Sequence, residues 1–103
     1  MSDTLVRLEA TIRERRAADP ATSYVARLTA AGRAKIAQKV GEEATETVIA
    51  ALAETPGKLT AEAADLLFHL LILLADAGLS LADVEAELAR REGLSGLEEK
   101  ARR

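Results

Sequence analysis

The chain has 103 residues, 49% hydrophobic and 30% charged, with a formal net charge of −3 and no cysteine. That composition excludes a disordered chain, a disulfide-stapled scaffold and a thiolate metal site, and the length suits one domain spanning residues 1–103. With aromatic residues at only 2%, an acidic chain offers neither the basic footprint nor the stacking platforms of a nucleic-acid binder, and Tyr24 and Phe68 read as isolated.

Alanine and leucine dominate, which favours helices over strands. Leu5, Leu8 and Ile12 recur at helical spacing, so Asp3 to about Ala18 reads as an amphipathic first helix capped by Ser2 or Asp3. Asp19-Pro20 ends it, because a residue before proline is pushed out of the helical region. Ala21 to Gly32 reads as a connection holding one short helical segment, and Arg33 to Ala53 as a second long helix. Pro56-Gly57 signals a turn. Thr60 is the expected cap of a third long helix, Ala61 to about Ala77, closed by Gly78. Ser80 with Asp83 forms a capping-box pattern that opens a fourth helix, Leu81 to about Glu92. The tail from about residue 93 to 103 carries two glycines and reads as loosely ordered. The fold class is all-α, a four-helix-type bundle.

The longest apolar run, "LLFHLLILLA", falls far short of the roughly 20 residues that span a bilayer. The N-terminal "MSDTLVRLEATIRERR" lacks the apolar core of a secretion signal, so a cytoplasmic location with no membrane partner is expected.

The stretch "KVGEEATETVIAALAE" places Glu42, Glu43 and Glu46 against a run meant for a core. On a helical projection Glu43 borders the apolar stripe, with Glu46 beside it and Glu42 rotated outward. The third helix is apolar nearly all round except for a strip holding Glu62, Asp65, His69 and Asp76, so that strip is buried or lines a cleft. A short turn makes the two helices antiparallel. Glu43 and Glu46 then face Glu62 and Asp65 within about one helical turn of the same level. Four facing carboxylates repel unless cations fill the gap, and oxygen-only ligands favour Mg²⁺, with Mn²⁺ also suitable. The ordinary alternative is a solvated acidic face.

The pattern E-E-x-x-E (Glu42, Glu43, Glu46) followed by E-x-x-D (Glu62, Asp65) resembles the metal motif of the all-α MazG-type nucleotide pyrophosphohydrolases. The segments "SYVARLTAAGRAKIAQKVGEEATETVIAA" and "EAADLLFHLLILLADAGLSLADVEAELARRE" resemble the phosphoribosyl-ATP pyrophosphohydrolase branch of histidine biosynthesis, in its form free of a fused cyclohydrolase. The likeness runs from about Leu5 to Lys100. It implies hydrolysis of the α–β phosphoanhydride of 1-(5-phosphoribosyl)-ATP with Mg²⁺ at Glu43, Glu46, Glu62 and Asp65. No Walker-type glycine loop cradles phosphates here, so a cation must bridge an acidic protein to its substrate.

Glu42 is a candidate for a further metal contact or for orienting water, with a plain surface role as its alternative. Lys39 reads either as a phosphate contact or as an i, i+4 ion pair with Glu43, and Lys35 as a weaker phosphate contact. His69, one turn beyond Asp65, is in reach to donate to that carboxylate, or is a satisfied core histidine. Arg7, Arg13, Arg15 and Arg16 read as solvated surface, while Lys100, Arg102 and Arg103 read as tail or as phosphate contacts. Two other functions stay open: a housekeeping pyrophosphatase for non-standard nucleoside triphosphates, and a non-catalytic helical dimerisation module.

The third helix also bears on assembly. The other helices are too few to cover Leu66, Leu67, Leu70, Leu71, Ile72 and Leu74, so a two-fold homodimer is expected to complete the core. The resembled family is dimeric as well.

Overall fold

A computed structural model of the chain describes residues 2–94 and 96–102, the side chain of Glu99 excepted. Among the described residues the architecture is all-α, with six helices: α1 (Asp3–Arg15), α2 (Tyr24–Ala31), α3 (Arg33–Ala53), α4 (Pro56–Asp76), α5 (Leu81–Arg90) and α6 (Gly96–Arg102).

Local chemistry sets each boundary. After α1 the Asp19 carboxylate accepts the Ala21 amide at 2.9 Å, turning the chain through Pro20. Ser23 then caps α2, its buried hydroxyl accepting from Ala26 N at 3.1 Å. Gly32, at φ +103°, separates α2 from α3; only glycine adopts that conformation without strain. Between α3 and α4 stand only Glu54 and Thr55, so the two longest helices double back and make the principal packing contact of the fold.

The start of α4 differs from the sequence expectation. Thr55, not Thr60, is the cap, accepting from Lys58 N at 3.2 Å. Pro56 occupies the first helical position, where its missing N–H and fixed φ are assets. The Pro-Gly pair therefore starts the helix rather than interrupting the chain before it. Gly78 (φ +74°) ends α4, with Leu79 N donating to Leu74 O at 2.8 Å. The Ser80–Asp83 capping box forms as expected. Glu9 on α1 accepts the Leu81 amide at 2.6 Å and ties the start of α5 to the bundle. The tail, for which the sequence offered no helix, carries α6; Arg103 lies outside the described residues.

The core gathers Ile12 from α1, Val25 and Leu28 from α2, Ile36 from α3, and Leu71 and Ile72 from α4. Of the α4 set expected to lie partly in water, Leu71 and Ile72 are covered within the single chain, Leu66, Leu70 and Leu74 are half-buried, and Leu67 is exposed. Besides Leu67 (48% exposed), the exposed large apolar residues include Val48 (57%), Ile49 (51%) and Leu52 (84%) on α3. No single described helix is long and apolar enough to cross a membrane. Only α4 and α5 taken together reach that length, and they bend by 102° at their junction.

Candidate active site

The pairing of α3 with α4 brings Glu43, Glu62 and Asp65 together, one carboxylate oxygen of each within 4.8 Å of the others. Glu43 is 7% exposed, Glu62 half-buried and Asp65 open to solvent. Oε2 of Glu43 and Oε2 of Glu62 are buried with no hydrogen-bond partner. Buried polar atoms are almost always paired, so two orphaned acceptors side by side form a site that a cation fits. Glu46 lies outside this close trio, and its carboxyl acts on both Glu43 and Glu62. Glu46 itself is exposed on α3.

The electrostatics follow from that crowding. Burial first, then the Glu46 carboxyl, pushes Glu43 above the usual carboxylate range. The same causes in the same order raise Glu62, partly offset by Lys58. Lys58 Nζ stands 3.9 Å from Glu62 Oε1, an i, i+4 pair that the sequence reading missed although K-x-x-x-E signals it. Lys39 Nζ lies 3.1 Å from Glu42 Oε2 and 3.8 Å from Glu43 Oε1, so its ion-pair role is realised. Glu42 also accepts from Gln38 Nε2 at 2.9 Å. The Gln38 bond and then Lys39 hold the Glu42 carboxyl below its usual range, while the Glu42 bond raises Lys39. Lys35 is exposed and acts on Glu42 only through its charge.

Of the two readings of His69, the satisfied core histidine is the one realised. It is buried, and its Nδ1 bonds the Asp65 backbone carbonyl at 2.7 Å rather than the Asp65 carboxylate. Its Nε2 is 2.7 Å from the Tyr24 hydroxyl. Tyr24 and Phe68 are not isolated either: their rings stack with centroids 6.2 Å apart, and His69 stands edge-on to both. Burial raises the Tyr24 phenol, and the charges acting on it are Lys39, Glu43, Glu42 and Asp65. Tyr24 thus borders the acid cluster, and sequence reasoning overlooked it. The available signal was a lone Tyr, in a chain nearly free of aromatics, directly after the cap of α2. Asp76, on the same strip of α4, is instead bound by Arg33 at 2.9 Å and Arg16 at 3.4 Å.

Comparison with known proteins places this geometry. A family profile described as Phosphoribosyl-ATP pyrophosphohydrolase matches residues 5–92. The phosphoribosyl-ATP pyrophosphatase of Rhizorhabdus wittichii is 67% identical over 103 residues, covering 100% of this chain and 97% of that protein. That of Erythrobacter litoralis is 66% identical over 101 residues, covering 98% and 97%, and that of Zymomonas mobilis 59% identical over 101 residues, covering 98% and 94%. A likeness of this length, spanning every helix that builds the acid cluster, means that the chain belongs to the phosphoribosyl-ATP pyrophosphohydrolase family.

Proposed function

We infer that this chain hydrolyses the α–β phosphoanhydride of 1-(5-phosphoribosyl)-ATP, giving 1-(5-phosphoribosyl)-AMP and pyrophosphate, the second step of histidine biosynthesis. The observation that carries the reading is the meeting of Glu43, Glu62 and Asp65 in a chain two-thirds identical, end to end, to named phosphoribosyl-ATP pyrophosphatases.

Glu43, Glu62 and Asp65, joined by Glu46, would hold Mg²⁺ or Mn²⁺; the all-oxygen donor set and the two orphaned oxygens suit a hard divalent ion. Such an ion supplies neutralisation of the charge on the departing pyrophosphate and lowers the pKa of water. The protein contributes placement. Burial fixes Glu43, and Thr47, bonded to the Glu43 carbonyl at 2.8 Å, packs one turn on. Glu42, kept ionised by Gln38 and Lys39, is an acceptor that can orient a water molecule. Lys39, held at the cluster's edge, and the more exposed Lys35 are the cations available to a phosphate.

The reading includes a cytoplasmic homodimer. A compact monomer of 10.9 kDa exposes about 5,600 Å² and has a radius of gyration near 13 Å. This chain exposes 6807 Å², with a radius of 15.5 Å. The surplus, roughly 1,200 Å², exceeds the ~800 Å² that one partner buries in a standard interface.

Incubating the protein with phosphoribosyl-ATP and Mg²⁺, with and without EDTA, tests the function. Cation-dependent pyrophosphate release supports it. Release from non-standard nucleoside triphosphates alone, or from no nucleotide, would overturn it.

A further inference from the structure

Beside the acid cluster stands a hydrogen-bond chain that runs from the Asp65 carbonyl through His69 to Tyr24. The Asp65 carbonyl can only accept, so His69 Nδ1 carries the proton in the 2.7 Å contact between them. In the neutral imidazole Nε2 is then an acceptor, and the 2.7 Å contact to Tyr24 is the phenol donating its hydrogen to His69. The Tyr24 oxygen is left with lone pairs only. In that arrangement it is free to accept a hydrogen bond from a ligand, its own hydrogen being engaged by His69.

Tyr24 is also held more firmly than its position requires. Its ring stacks on Phe68, meets the edge of His69 and is anchored through its hydroxyl, yet the residue remains 42% exposed. A residue serving only the core would be covered. Here three contacts hold an aromatic surface and an acceptor oxygen beside a site whose charged groups Lys39, Glu43, Glu42 and Asp65 act on the phenol. An acceptor among carboxylates repels phosphate oxygens and selects O–H donors. The exposed ring adds an apolar face that a sugar or base can cover, whereas a water molecule gains nothing from it.

We propose that Tyr24, oriented by His69, is the specificity-determining contact to the nucleoside end of the substrate, its phenol oxygen accepting from a ribose hydroxyl while the acids beside it handle the phosphates. The proposal rests on the phosphoribosyl-ATP reading for its substrate, but its nucleotide-binding test does not. Asp65 is thereby joined to substrate recognition through its own main chain: the carbonyl that fixes His69 belongs to the residue whose carboxylate completes the acid trio.

The chain has one Tyr and no Trp, so its intrinsic fluorescence reports Tyr24 alone. Three measurements decide the matter, all with Mg²⁺ present. Wild-type hydrolysis of phosphoribosyl-ATP tests the function by itself. Binding of AMP and of 2′,3′-dideoxy-AMP, followed by tyrosine emission and by calorimetry, then tests the contact on the wild-type fold. AMP should bind about tenfold more tightly than its dideoxy analogue and should change the emission saturably. In Tyr24→Phe, which keeps the ring and its stacking, that preference should vanish in calorimetry. The KM of the variant should rise about tenfold with kcat within about twofold. Equal wild-type affinity for the two nucleotides, or emission indifferent to AMP, overturns the proposal. So does a Tyr24→Phe variant that loses kcat at unchanged KM, which would mark Tyr24 as orienting water. A variant with altered melting temperature and unchanged KM would mark it as structural only, and also overturns the proposal.

Discussion

Leu52→Asp separates the fold of one chain from the assembly of two. Leu52 is 84% exposed on α3, beside the exposed Val48 and Ile49. Full burial of a leucine contributes about 1.5–3 kcal/mol. A partner that covers Leu52 therefore gains most of that, and a two-fold dimer gains it twice, about 2.5–5 kcal/mol. At 1.4 kcal/mol per factor of ten, removing it weakens association by roughly two to four orders of magnitude, before any repulsion between the new carboxylates. Within one chain the substitution touches almost nothing, and solvent-facing changes of this kind stay within about 0.5 kcal/mol. Any loss of helicity in the variant consequently reports lost association rather than local damage.

Sedimentation equilibrium and far-UV circular dichroism at micromolar concentration are the assays. The wild type should sediment at twice 10.9 kDa, and Leu52→Asp should lose association and helicity together. The single-chain core supports that coupling, because among the described residues only Ile12, Ile36 and Ile72 are large and fully buried. A wild type that sediments as a folded 10.9 kDa species, or a Leu52→Asp chain that remains a folded monomer, would refute the reasoning.

Three further outcomes concern the acid cluster. Mg²⁺ at a hundred times its dissociation constant should stabilise EDTA-treated protein by about 2.7 kcal/mol, raising the melting temperature on the order of 10 °C; no rise with Mg²⁺ or Mn²⁺ contradicts a cation site. In metal-free buffer, Glu43 and Glu62 have pKa values above those of the unfolded chain, so the folded state binds more protons. Their contribution to stability is thus greatest at acid pH and falls as pH rises from the ordinary carboxylate range through the raised values; melts showing the opposite trend in wild type relative to a Glu43→Gln, Glu62→Gln variant would contradict it. Glu46→Gln and Asp65→Asn should each lower pyrophosphate release by about 100-fold or more with helix content intact, and Glu46→Gln should raise the metal-free melting temperature; near-wild-type rates in both variants would refute their assignment.

Much of this site was legible in the sequence because helical geometry is rigid. Given α3 and α4 and a short connection, the spacing of Glu43, Glu62 and Asp65 places them at one level without knowledge of any side-chain contact. The capping box at Ser80 was legible for the same local reason. What escaped depends on contacts distant in sequence. Tyr24 meets His69 across 45 residues, a relation that periodicity cannot express, and the His69 partner on Asp65 is the main chain rather than the carboxylate. The start of α4 escaped because Pro-Gly is consistent with either a turn or a first helical turn. Only the Thr55 hydroxyl bonding Lys58 N decides between them. Of the α4 residues expected to lie partly in water, Leu67 does, whereas the Leu71–Ile72 face turns inward to meet Ile12 and Ile36; the exposed Val48, Ile49 and Leu52 on α3 were not foreseen.

The cluster's charge makes a last prediction about how nucleotide and cation bind. Among the described residues, the five acids Glu42, Glu43, Glu46, Glu62 and Asp65 are set against Lys39, Lys58 and the more exposed Lys35, which leaves a formal charge of −2 when all are ionised. A nucleotide phosphate meets that charge as repulsion at a distance too short for salt to screen fully, the Debye length being about 8 Å at physiological ionic strength. Cation and nucleotide should therefore bind cooperatively, and linkage requires the effect to be reciprocal. If Mg²⁺ raises the affinity for AMP by some factor, AMP must raise the affinity for Mg²⁺ by the same factor. A coupling of about 1–3 kcal/mol, or roughly 5–150-fold, is the expected range. Calorimetric titration of AMP across a series of free Mg²⁺ concentrations, and of Mg²⁺ across a series of AMP concentrations, measures both sides, once Mg²⁺ binding to free AMP is subtracted. Glu43→Gln, by removing a buried carboxylate, should raise AMP affinity in EDTA while weakening the Mg²⁺ effect. AMP affinity that is independent of Mg²⁺ in the wild type would mean that the nucleotide binds away from the acid cluster.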